Sequence, residues 1–121
     1  MQYERFSTAQ GLGKGSSISF VIYKETKGFP KEELYGLTVQ IRRSSMSIPT
    51  NIAEGCGRNT DTDFARFIQI AMGSASEAEY QILLARDLGF IANENYEKLQ
   101  TQVQEIKRML ASLLKTLRTK D

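Results

Sequence analysis

The chain has 121 residues, 40% of them hydrophobic and 25% charged, which fits one globular domain with a single core rather than a disordered or membrane-embedded chain. It contains no histidine, so the commonest general base and the commonest transition-metal ligand are both missing. A formal net charge of +2 is too small to announce nucleic-acid binding by itself, so only the distribution of charge could do so.

The first predicted helix covers about residues 8–27. Ile18, Val21 and Ile22, with Phe20 and Tyr23, read as helical up to Lys27-Gly28. Gly11, Gly13 and Gly15 each cost roughly 1 kcal/mol relative to alanine in a helix. Either this start frays, or the glycines sit under a closely packed neighbour.

Pro30 opens a second helix as a first-turn residue, and the helix is predicted over 31–55. Leu34, Leu37, Ile41, Ser44 or Ser45, Ile48, and Asn51 or Ile52 trace its seam. Pro49 removes one backbone hydrogen bond inside that pattern. Because the apolar spacing resumes in phase at Ile52, a helix kinked at Pro49 is expected rather than one ending there. Gly55, Gly57, Arg58 and Asn59 then form a turn.

The third helix, 61–88, carries Phe64, Ile68, Ala71, Ala75, Ala78, Ile82 and Ala85 at steps of four and three, widened by Phe67, Met72 and Leu83. Thr60 and Asp63 resemble a capping box, and Gly89 fits the left-handed position after the last turn. Short residues at Gly73, Ala75 and Ala78 imply a close neighbour at mid-length. The fourth helix, 94–118, has Tyr96, Leu99, Val103, Ile106, Leu110, Leu113 and Leu117 on one stripe. Asn93 is the expected N-cap. Glu94 and Glu97 suit the positive end of the helix dipole, and Lys115, Arg118 and Lys120 suit the other. Four helices with short connections imply one all-α domain over 1–121, an antiparallel up-and-down four-helix bundle.

Few constellations carry chemistry. No nucleophile–base pair is visible, the Glu-x-x-His motifs of di-iron bundles cannot exist, and one cysteine without histidine builds no zinc site. No catalytic residue, metal site or cofactor is therefore expected. Cys56 cannot close an intrachain disulfide and reads as a small packing residue in a reducing compartment. No apolar run approaches the roughly 20 residues of a membrane span, and Met1 to Ser7 lacks the apolar stretch of a signal peptide, so a cytoplasmic location is expected. Glu77 and Glu79 point to different helix faces and cannot pair on a metal.

Two groups of residues invite a functional reading. Ser44, Ser45, Ser47 and Asn51 stand near the second helix's seam, where leucine would be the plain choice. Their hydroxyls could absorb carbonyls freed by Pro49; alternatively Asn51 and Glu54 form a polar cluster that recruits Arg58 or Arg66 and fixes helix register or a subunit contact. The second group is basic: Arg42-Arg43 beside the seam, Arg58 and Arg66 around the turn, then Lys107, Arg108, Lys115 and Arg118. The last fifteen residues hold five basic groups against one acidic, Asp121. These cations form either a solvated face or, when copies align in an oligomer, a field for phosphate. No interleaving of arginine with aromatics along the chain supports stacking of single strands.

The runs Phe29-Pro30-Lys31-Glu32-Glu33-Leu34-Tyr35-Gly36-Leu37, Gln40-Ile41-Arg42-Arg43-Ser44 and Ser47-Ile48-Pro49-Thr50-Asn51-Ile52-Ala53-Glu54-Gly55 closely resemble the bacterial four-helix-bundle family, the 23S rRNA intervening-sequence proteins. Asp63-Phe64-Ala65-Arg66-Phe67, Ala71-Met72-Gly73-Ser74, Glu77-Ala78-Glu79 and Leu88-Gly89-Phe90-Ile91 resemble its later signatures, so the likeness covers roughly residues 18–117. The resemblance implies an up-and-down bundle in a ring-like homo-oligomer, with pentamers expected. A related branch, the accessory variability proteins of diversity-generating retroelements, implies binding to RNA or DNA and to a reverse transcriptase; those relatives are more basic. Two departures bear on packing at one end of the bundle: Leu12-Gly13 stands where many members have Trp-Gln, and Cys56 where a bulky aromatic is common. The leading expectation is a non-enzymatic, self-assembling, nucleic-acid-binding bundle, and the alternative is a protein-binding scaffold.

Overall fold

A computed structural model describes the backbone of residues 2–119 and the side chains of residues 8–119. Four helices follow one another: α1 Gln2–Thr26, α2 Val39–Cys56, α3 Asp61–Asp87 and α4 Asn93–Thr119. Pairs between neighbours set their directions. Gly11 lies against Ile52 while Thr26 lies against Arg42; Ser44 meets Gln81 while Gly55 meets Phe64; Arg86 stacks on Tyr96 while Gln69 meets Arg118. In each pairing the residue numbers rise along one helix as they fall along the other, and Lys14 with Glu105 closes α1 onto α4. The result is the antiparallel up-and-down bundle, with a core of buried isoleucines on α1 and α2, isoleucine and alanine on α3, and mainly leucine on α4.

The predicted stripes of α3 and α4 are the buried faces. Ile68, Ala71, Ala75, Ala78, Ile82 and Ala85 are buried, as are Leu99, Val103, Ile106, Leu110, Leu113 and Leu117. Thr60 caps α3 by accepting from the Asp63 amide at 3.1 Å. Gly89 takes φ +80°, which an L side chain avoids, and Phe90 then turns back so that its amide reaches the Ala85 carbonyl at 2.9 Å. Asn93 is not the cap of α4: it is the first helical residue, and the Ala92 carbonyl accepts from the Tyr96 amide at 2.9 Å. Gly73 does not face a neighbour, for nothing lies within 4 Å of where its Cβ would be. Lys120 and Asp121, counted among the C-terminal charges, lie outside the described residues.

α1 begins earlier than the predicted residue 8, and its glycines are helical. Gly11 and Gly15 lie beneath α2: a Cβ on Gly15 would stand 3.3 Å from Ile48 Cγ2 and from the Pro49 ring. The second predicted helix is not one piece. Lys31–Glu33 forms a tight turn, Leu34–Thr38 a wide one, and Gly36 leaves helical geometry at φ −110°, ψ −113°, before α2 starts at Val39. Leu34, placed on the seam by periodicity, is consequently exposed, because the widened turn rotates it off the face that Leu37 and Ile41 share. Beyond that break α2 remains helical through Pro49 to Cys56.

The polar residues of α2 explain how. Proline at 49 offers no amide to the carbonyl of Ser45, four residues earlier. Ser45 is completely buried, and its carbonyl instead accepts from the Ser19 hydroxyl of α1 at 2.9 Å. Ser44 donates to Gln81 Oε1 on α3 at 2.5 Å. Phe29, Phe90 and Ile91 close one end of the core, with the Phe29 and Phe90 rings 5.4 Å apart. None of the three belongs to a periodic stripe.

Candidate nucleic-acid interface

The basic residues singled out from the sequence divide into committed and uncommitted groups. Lys107 is half-buried and paired with Glu79 at 2.9 Å, as an α4–α3 strut. Arg118 donates to Gln69 Oε1 at 3.0 Å. Arg58 stands 3.8 Å from Glu54 one turn earlier and lies 4.4 Å above the Phe67 ring, which Arg66 also approaches at 5.6 Å. Arg43, Arg108 and Lys115 are exposed, and among the described residues neither Arg43 nor Lys115 has an ion pair or side-chain hydrogen bond. Arg108 contributes to the field around Glu105.

Asn51 and Glu54 go separate ways. Asn51 donates to the Ser47 carbonyl at 2.8 Å and to its hydroxyl at 2.9 Å, and Ser47 in turn meets Ser74 of α3 at 2.8 Å. That chain of polar side chains ties α2 to α3 beside Pro49. Glu54 is exposed and faces Arg58 instead, so the two belong to different contacts.

Among the described residues, two surface hollows bring predicted cations together. One, at the α3 start and α4 end, brings Arg66 and Arg118 together, but Asp61 and Asp63 line it too and offset their charge. The other runs along α1 and the start of α2, encloses about 320 Å³ and contains Arg42 and Arg43. Tyr23, Leu34, Tyr35, Val39 and Met46 form its apolar wall, with Thr38 as the remaining lining residue, and no carboxylate lines it. Arg42 is held by a 2.7 Å bond from Nε to the Thr26 hydroxyl, whose own proton goes to the Ile22 carbonyl at 2.7 Å. Its guanidinium lies 4.8 Å from the centre of the Tyr23 ring. Arg43 is exposed beside it. Tyr35 stands 90% exposed on the widened turn at Gly36. Thr38 is 3% exposed, and its Oγ1 is buried without a hydrogen-bond partner.

Sequence periodicity missed this groove because its residues come from three segments, Tyr23 from α1, Leu34 to Thr38 from the turn, and the rest from α2. Arginine and aromatic groups do interleave here, in space rather than along the chain. The available signal was Tyr35-Gly36: an aromatic followed by a helix breaker beside a Pro-initiated turn.

Other candidates are quiet. Cys56 is exposed and unpaired, and desolvation by its surroundings pushes its thiol above the ordinary value, opposite to an activated nucleophile. Glu105 is held below the usual carboxylate range, first by its hydrogen bond to Lys14 and then by that ammonium's charge. Among the described residues no group of three acidic or cysteine side chains is placed to hold a metal ion, and no helix is long and apolar enough to cross a membrane.

An all-α four-helix bundle bearing a basic, aromatic groove is the class that fold and site define. The family model for the 23S rRNA-intervening sequence protein matches residues 11–112, and the chain belongs to that family. A solved structure of a protein of unknown function from the S23 ribosomal protein family of Bacteroides thetaiotaomicron is similar to it, with TM-score 0.83 and 28% identity, over 90% of this chain and 98% of that one. No curated protein matches the chain.

Proposed function

We propose that this protein is a non-enzymatic, self-associating bundle that binds RNA or DNA through its phosphates. The observation that carries this reading is the groove holding Arg42 and Arg43 with no carboxylate in its lining. Lys107 commits its charge within the fold, so Arg43 leads the contact, with Arg58, Arg66, Arg108, Lys115 and Arg118 adding weaker contributions. A net charge of +2 per chain is small, and a ring of copies, with a pentamer expected, would multiply it into a field that attracts a polyanion.

The test is binding of a mixed RNA and DNA pool at increasing salt, with the particle mass followed by light scattering. Affinity should fall steeply with salt. Arg43→Gln should lower both the affinity and the steepness of that dependence, by about one unit of slope for each phosphate the arginine neutralises. Affinity indifferent to salt would refute the reading. A second reading, a scaffold for a protein such as a reverse transcriptase, is favoured by the exposed Leu34, Tyr35, Val39 and Met46. In that case Arg43→Gln should leave partner binding intact.

A further inference from the structure

We infer that the groove between α1 and α2 seats an unpaired base of a single-stranded nucleic acid, with Tyr35 as stacking platform and Arg43 on the adjoining phosphate. This rests on the nucleic-acid reading above and narrows it to a class of substrate.

Three features converge. Tyr35 offers a ring that is 90% exposed, held away from the core by the wide turn at Gly36. An aromatic face in water is a sequence-tolerant platform for any base. Arg42 and Arg43 rise from the next turns of α2, and the groove they share has an apolar wall of Tyr23, Val39 and Met46 with no carboxylate. A phosphate would meet two cations there, and the Glu33 carboxylate on the same turn is not among the lining residues and accepts from the Leu37 amide. At about 320 Å³ the hollow has the size of a small-ligand pocket, too small for a duplex. Base-paired nucleotides keep their faces stacked inside the helix and cannot use Tyr35, so the groove discriminates by strandedness rather than by charge.

The probes are fluorescein-labelled uridine and deoxythymidine homopolymers and a duplex of matching length, titrated by anisotropy with the full chain. The wild type should prefer the single strands. Tyr35→Ala should weaken them by roughly tenfold, the effect of losing one stacked base, and should leave the duplex unchanged. Tyr35→Phe should restore single-strand binding, since the ring and not the hydroxyl is the platform. Arg43→Gln should weaken single strands and duplex alike. Preference for the uridine over the deoxythymidine polymer would assign the ligand to RNA, and equal binding would assign it to either sugar, both within the proposal. If single strands and duplex bind equally and Tyr35→Ala changes neither, the inference is overturned while the phosphate reading stands. If no probe binds at any salt, both fail. A particle mass that drops in Tyr35→Ala would make the groove a contact between copies and would likewise overturn the inference.

Discussion

The hydroxyl of Ser19 performs a task that belongs to a backbone amide in a helix without an internal proline. Pro49 leaves the Ser45 carbonyl without its helical donor, Ser45 is fully buried, and Ser19 supplies the missing bond at 2.9 Å. Ser19→Ala removes that bond and leaves a buried acceptor unsatisfied, at a cost of about 1–3 kcal/mol. The second oxygen near Ser19, the Gly15 carbonyl at 3.1 Å, lies within one helix and keeps the main-chain amide of residue 19. It therefore contributes little to the loss. In a Pro49→Ala background the amide at 49 returns and serves the Ser45 carbonyl itself, so the Ser19→Ala penalty should shrink by about 1 kcal/mol. The effect of Pro49→Ala alone is not the test, because its ring also packs over Gly15 at 3.3 Å. Urea unfolding followed by far-ultraviolet circular dichroism gives the four stabilities, compared by midpoint at constant slope. Equal Ser19→Ala penalties in the two backgrounds, within about 0.5 kcal/mol, would refute the argument.

Gly55→Ala should destabilise by about 1–3 kcal/mol, since its Cβ would lie 2.9 Å from the Phe64 ring and 3.1 Å from Phe67 Cβ, which is fixed to the α3 backbone and cannot withdraw far. A midpoint unchanged in thermal unfolding would show that α2 and α3 separate freely there. Thr38→Val should be neutral or stabilising by up to about 1 kcal/mol, because it replaces a buried hydroxyl that has no partner; a clear loss of stability would reveal a bond to that hydroxyl. Glu105 has its acidity raised by Lys14, so the pair stabilises the fold above the carboxylate's unfolded value, near pH 4, and the contribution disappears as pH falls through the lower folded value. Lys14→Gln should flatten that acid limb slightly, the pair being exposed, and an unchanged limb would show that the ammonium does not act on Glu105.

The sequence by itself determined the bundle. Steps of three and four name the buried residues of α3 and α4, Thr60 and Gly89 mark the bounds of α3, and the return of apolar spacing at Ile52 carries α2 past Pro49. These signals are local, each a matter of which face a residue shares or which dihedral a residue tolerates. Tertiary structure alone decided three things. It turned Gly11 and Gly15 from weak points into the surface on which α2 rests, because their lack of side chains matters only once a neighbour approaches. It supplied the donor for the Ser45 carbonyl from twenty-six residues away, a pairing no periodicity encodes. And it sorted the cations: Lys107 into a strut, Arg58 onto Glu54 and Phe67, and Arg42 with Arg43 into the groove beside Tyr23 and Tyr35. Charge along a chain counts groups, whereas binding depends on which of them remain uncommitted and what lies beside them, and only the fold brings those residues together.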